Sequence, residues 1–178
     1  MILALLCASC VTEDKYRVTE ADKQVRAAFE NWRTSVLENN YDIFFWRMTP
    51  RMRTLYLWHM IQGGNTDLFR NRMPELSEGD RTDFETWLGI NATRDEDKVD
   101  LLPISILRGT WLKGMIHDHF KIIQQDLAFE LAQVRVVQIY TEGAGSTVIV
   151  RNIRNKNEWY SMVFDGEGWK IDGHRLAH

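Results

Sequence analysis

The sequence predicts an α+β domain in which N-terminal helices pack on a curved antiparallel four-stranded C-terminal sheet. Up to about residue 126 the apolar residues recur at helical spacing, and beyond it the period falls towards two. The period-two runs are joined by short links bearing Gly and Asn, which signals antiparallel hairpins. Helices followed by a meander bury both sets of apolar faces when the helices cover one side of the sheet, which must curl around them. A length of 178 residues suits one domain, and 44% hydrophobic residues with seven Trp and eight Phe supply a sizeable core.

Each element has its own justification. Thr19-Glu20-Ala21-Asp22 resembles a capping box with Asp in the usual Glu position. Behind it Val25, Ala28, Phe29, Trp32 and Val36 repeat at helical spacing, which predicts a helix over 20–38 ended near Asn39-Asn40. Residues 41–48 read as a short helix capped by Asp42. Pro50 opens the next, since its missing N–H needs no partner in a first turn. That helix carries Met52, Leu55, Tyr56 and His59 along one side and stops at Gly63-Gly64.

From 65 to 126 the pattern stays helical but is punctuated by Pro74, Gly79, Gly89 and Pro103. Asp83, Phe84, Trp87 and Leu88 suggest a short amphipathic helix, and 94–100 a charged turn. Residues 110–125 read as a helix with Leu112, Met115, Ile116, Phe120 and Ile123 inward. AFELAQVRVVQIYTE, STVIVRNIR, EWYSMVF and GWKIDGHRL then read as four strands.

The opening MILALLCASC is uncharged, and it holds both cysteines, Cys7 and Cys10. The rest of the chain therefore has neither a disulfide framework nor a cysteine-based zinc site. Small Ala8 and Ser9 precede Cys10 behind an apolar run, so Cys7-Ala8-Ser9-Cys10 resembles the lipobox of bacterial lipoproteins. The resemblance implies that 1–9 is the remnant of a signal peptide, that Cys10 is the lipidated residue, and that 10–17 is a tether. It places the protein in the bacterial cell envelope, anchored to the membrane on the periplasmic side or the cell surface. The alternative is an apolar first strand in a cytosolic chain. The run is too short to span a bilayer as a helix, which needs about 20 residues.

The stretch VRAAFENWRTSVLENNYDIFFWRMTPRMR, with Tyr41-Asp42 and Thr49-Pro50, the terminal strands, and the ending Gly168-Trp169-Lys170-Ile171-Asp172-Gly173 resemble the NTF2-like superfamily, with its SnoaL-like and ketosteroid-isomerase-like members. The likeness covers roughly 18–62 and 127–176. It implies a cystatin-like conical half-barrel spanning 18–178, with a helical insertion at about 63–126 that caps or fills the cone.

The net charge of −3, with both signs interspersed, argues against a nucleic-acid partner. His117-Asp118-His119 suggests a metal, but neighbours two apart on a helix do not share a face, so no metal site is expected and no cofactor. Asp42, Asp118, Asp172 and Glu130 are carboxylates near segments that could line a cone; none fits a catalytic motif, and Asp172 reads as a surface partner of Lys170. The candidate pocket residues are Tyr56, His59, His119, Tyr140, Trp159 and Tyr160, rings with polar tips. Arg47, Arg51, Arg53, Arg70 and Arg72 form loose basic pairs that suit an anionic lipid or a solvated helix face. These readings predict a lipoprotein whose domain binds a protein partner or a small apolar ligand without catalysis, with a homodimer through the sheet face as a further expectation. The alternative is an acid–base enzyme acting on a small apolar substrate.

Overall fold

The computed structural model describes residues 18–176. The leader, the tether and Cys10 lie outside the described residues. The order is helices first and sheet last: α1 (Glu20–Leu37), α2 (Tyr41–Trp46), α3 (Pro50–Gln62), α4 (Thr66–Arg72), α5 (Glu78–Asn91), α6 (Ile104–Arg108), α7 (Thr110–Ala132), then β1 (Arg135–Glu142), β2 (Gly145–Arg151), β3 (Asn157–Phe164) and β4 (Trp169–Leu176). The four strands pair in sequence order, all antiparallel, in a sheet that does not close.

The expected capping box opens α1. Thr19 Oγ1 accepts from the Asp22 amide at 3.1 Å, and the Thr19 amide donates to Asp22 Oδ2 at 2.8 Å. Asp22 is buried, and its second oxygen accepts from Thr141 Oγ1 at 2.8 Å, so the cap also ties α1 to β1. Val25, Phe29, Trp32 and Val36 bury the helix stripe against α2, α7 and the sheet. Asn39 turns the chain at φ 55°, and Asn40 Oδ1 accepts from the Ile43 amide at 3.3 Å. The cap of α2 is therefore Asn40 and not Asp42. Asp42 is already inside the helix, where it pairs with Lys113 at 2.7 Å.

Thr49 caps α3 and Pro50 begins it, with Gly63 and Gly64 (φ 75°) at its end. Of the side of α3 expected to carry Met52, Leu55, Tyr56 and His59, the first three pack inward and His59 does not. Arg53, Thr54, Leu55, Leu57 and Met60 are all buried, because the helix is wedged between β4, α6 and α7. His59 falls on the remaining outer side. The segment α4–α6 builds its own aromatic cluster, with Phe84 against Phe69, Trp87 and Trp111. Its loops are tied down by indole donors, Trp87 to the Asp100 carbonyl and Trp111 to the Arg72 carbonyl, both at 2.8 Å.

The boundary between helix and sheet also differs from expectation. Residues 128–132, read as the start of the first strand, continue α7. Ile123, Leu127 and Leu131 keep the four-residue spacing of one helix face, whereas the alternation of Phe129 and Leu131 mimics a strand; Phe129 is exposed.

Two register shifts bend the sheet. One lies between Val136 and Gln138 on β1, so that Val137 is the extra residue. The other makes Asp172 extra on β4, where Gly173 faces Ser161 and Ile171 faces Met162. Such bulges kink a strand and increase its twist. The β4 edge is covered by residues 47–49: the Thr49 amide donates to the Ile171 carbonyl at 2.9 Å and the Ile171 amide to the Arg47 carbonyl at 2.7 Å. The bulged Asp172 accepts from Thr49 Oγ1 at 2.6 Å. Its partner is thus Thr49, while Lys170 pairs instead with Asp165 in the β3–β4 turn.

Candidate functional site

Between the helical layer and the inner face of the sheet lies a hollow of about 580 Å³. Its inner wall is apolar: Trp32 from α1, Phe44 from α2, Met48, Met52 and Tyr56 at α3, Ile123, Leu127 and Leu131 from α7, and Tyr160 from β3. The helical spacing of α1 and α7 and the period-two spacing of β3 each send one apolar row to this face. Phe129, Glu130, Ile153 and Arg154 are exposed and form its rim. Of the segment 63–126, Ile123 lines the hollow; α4 and α6 pack instead on the outside of α7.

One polar group is built into the sheet side. Glu158 is only 9% exposed. Its Oε1 accepts from Asn152 Nδ2 at 2.6 Å, and its Oε2 lies 3.1 Å from His174 Nε2. The His174 ring stacks on Tyr160 at 4.3 Å between centroids. Glu158, Tyr160 and Met162 share one face of β3 by alternation, and His174 sits opposite Tyr160 across the β3–β4 pair. A carboxylate on Nε2 favours the tautomer with the proton there. Burial pushes the Tyr160 phenol up, with the Glu158 charge adding to the effect. The indole N–H of Trp32, whose ring centroid lies 5.7 Å from that of Tyr160, is buried without a hydrogen-bond partner among the described residues.

The expected pocket residues separate. Tyr56 and Tyr160 line the hollow. His119 stands behind Tyr56, with Nδ1 at 3.0 Å from the phenol oxygen; burial lowers the His119 pKa and raises that of Tyr56. His59 does not line it: it is exposed and 3.4 Å from Glu96, since α3 turns its other sides inward. Trp159 projects from the opposite face of β3, because adjacent strand residues cannot share a face. Tyr140 is half exposed in a separate surface depression with Thr141 and Thr147.

Among the expected carboxylates, Glu130 reaches the rim. Asp118 is held by Arg72 at 2.7 Å, which keeps its carboxyl below the usual range. His117 packs on Tyr41, with centroids 4.5 Å apart. Among the described residues no group of three or more His, Cys, Asp or Glu could hold a metal ion, and no helix is long and apolar enough to cross a membrane. Several arginines of 47–72 are engaged within the chain, some of them at its surface. Arg53 is buried, 4.2 Å over the Phe45 ring, Arg70 pairs with Asp67, and Arg72 with Asp118 and Glu75.

Sequence reading missed Glu158 and His174. The signal for Glu158 was its alternation with Tyr160 and Met162. For His174 it was Gly173 inside a strand, which marks a bulge that resets the alternation. Compared with known proteins, the chain matches no family model, no curated protein and no solved structure.

Proposed function

We propose that this chain is a bacterial cell-envelope lipoprotein, anchored through Cys10, whose NTF2-like domain takes a small apolar ligand into the hollow without turning it over. The observation that carries the reading is the hollow of about 580 Å³ with aromatic, Met and aliphatic walls. Ligand sites of this kind are mostly apolar with a few placed polar groups. Here those groups are Glu158 and His174 on the sheet side. A ligand with an apolar body and a hydrogen-bonding tip meets both needs. The test uses N-phenyl-1-naphthylamine as an apolar probe. Its fluorescence rises on binding, and Met52→Trp, which fills the hollow from a partly exposed wall position, weakens binding by about tenfold, equivalent to about 1.4 kcal/mol. Equal binding by both proteins would sink the reading.

A second reading, acid–base catalysis on a small apolar substrate, is favoured by one observation. His174 is oriented by a carboxylate that is itself held by Asn152, the arrangement a general base needs. Under this reading the protein exchanges the α-protons of an apolar cyclic ketone with deuterated solvent. His174→Gln abolishes the exchange while probe binding persists. No exchange by the wild-type protein removes the catalytic reading and leaves the binding one.

A further inference from the structure

The rim of the hollow differs from its walls in charge as well as exposure. Phe129 on α7 is 64% exposed and Ile153 on the β2–β3 turn is 49% exposed, and both border the opening. Ile122 is exposed two helical turns before Phe129 on the same side of α7. Cations cluster on the Ile153 side of the opening, whereas Phe129 is flanked on α7 by acids. Arg154 borders the opening beside Ile153, Lys156 follows on the same turn, Arg151 ends β2, and Arg135 lies opposite Arg151 in the β1–β2 register. The acids nearby are Asp126 and Glu130 on α7, while Glu158 is turned inward to Asn152 and His174. The turn is shaped by Asn152, whose Oδ1 accepts from the amides of Arg154 at 2.9 Å and Lys156 at 3.0 Å. Asn155 at φ 59° completes the reversal. This local bonding presents Ile153 and Arg154 to solvent at the opening.

We infer that this rim docks on an anionic lipid bilayer. Ile153 and Phe129 enter the interfacial layer, Arg151, Arg154 and Lys156 face the headgroups, and the hollow opens towards the membrane. The charge pattern selects this occupant. A protein partner favours a contiguous apolar centre depleted of charge. Here the apolar tip of Ile153 stands next to the long cationic side chain of Arg154, with Lys156 on the same turn and Phe129 exposed across the opening, which matches an interface where acyl chains and anionic headgroups lie a few ångströms apart. Docking this way lets an apolar ligand pass between bilayer and hollow without crossing water; that purpose rests on the ligand reading above, whereas the contact itself rests on the rim.

The test is flotation of the full chain carrying Cys10→Ser, which removes any acyl anchor. The vesicles are phosphatidylcholine with phosphatidylglycerol, or phosphatidylcholine alone. The protein floats with the anionic vesicles. Arg154→Gln with Lys156→Gln lowers that partitioning by about thirtyfold, the order expected when two cations leave an anionic surface. Ile153→Ser lowers it by about tenfold. Arg70→Gln with Lys98→Gln, on α4 and the turn before α6, leaves it unchanged. Circular dichroism checks that each variant folds. No flotation, flotation indifferent to phosphatidylglycerol, or equal loss with the Arg70/Lys98 pair would overturn the docking. So would a chain that stays off vesicles but dimerises through Ile153. Probe binding, measured separately without vesicles, decides the ligand reading on its own.

Discussion

His119 shows how one side chain reports on its surroundings. Its Nδ1 meets the Tyr56 phenol, and burial lowers its pKa below the ordinary histidine value of 6.5. The neutral form is therefore the folded one. The unfolded chain binds the proton first as pH falls, so the stability this residue contributes is present above pH 6.5 and is lost as pH drops through the depressed folded value. Thermal melts from pH 7.5 down to about 5 should show a falling midpoint, and His119→Gln should flatten that fall. An unchanged slope in the variant would assign the acid sensitivity to other groups. Asp118 and Asp165, both held below the usual carboxylate range by Arg72 and Lys170, act in a different window: they lose their stabilising charge only in stronger acid.

Among the elements, α1 depends on its first turn. Asp22 closes the capping box and also receives Thr141 from β1, so one buried carboxylate joins helix to sheet. Asp22→Ala removes both contacts and should cost about 2 kcal/mol, the upper part of the range for a lost cap, read by denaturant unfolding. Thr141→Val removes only the cross-link and should cost less. The box was legible because it is local: four consecutive residues carry it. The caps of α2 and the partner of Asp172 were not. Asn40 and Asp42 offer competing side chains two residues apart, and Thr49 reaches Asp172 across 123 positions of sequence. The end of α7 was misread for a related reason. Over five residues a period of two and a period of 3.6 are nearly indistinguishable, and the burial of Leu127 and Leu131 side by side settles it.

At the scale of the molecule, the long α7 carries both functions of the helical layer. Its inner side closes the hollow through Ile123, Leu127 and Leu131, and its outer side holds α4 and α6. The extra helices thus leave the cavity unfilled. The anchor is tested at this scale too. Under the lipoprotein reading the wild-type protein stays with membranes through a high-salt wash that screens the rim's contact with anionic headgroups, whereas that wash releases Cys10→Ala to the soluble fraction. A variant that fractionates like the wild type would end the lipoprotein reading while leaving the hollow and its probe binding as they are.

By itself the sequence determined the α+β class, the helix-then-meander order, the cap of α1, the proline start of α3 and the positions of the hairpin turns. Each of these depends on spacing, on caps or on backbone preferences within a few neighbouring residues. The tertiary structure alone decided which polar groups meet. Glu158 and His174 come together because the Asp172 bulge shifts β4 by one residue against β3, moving His174 onto the inner face. A shift of one residue exchanges the two faces of a strand, and its position follows from packing against residues 47–49 and α1, far away in sequence.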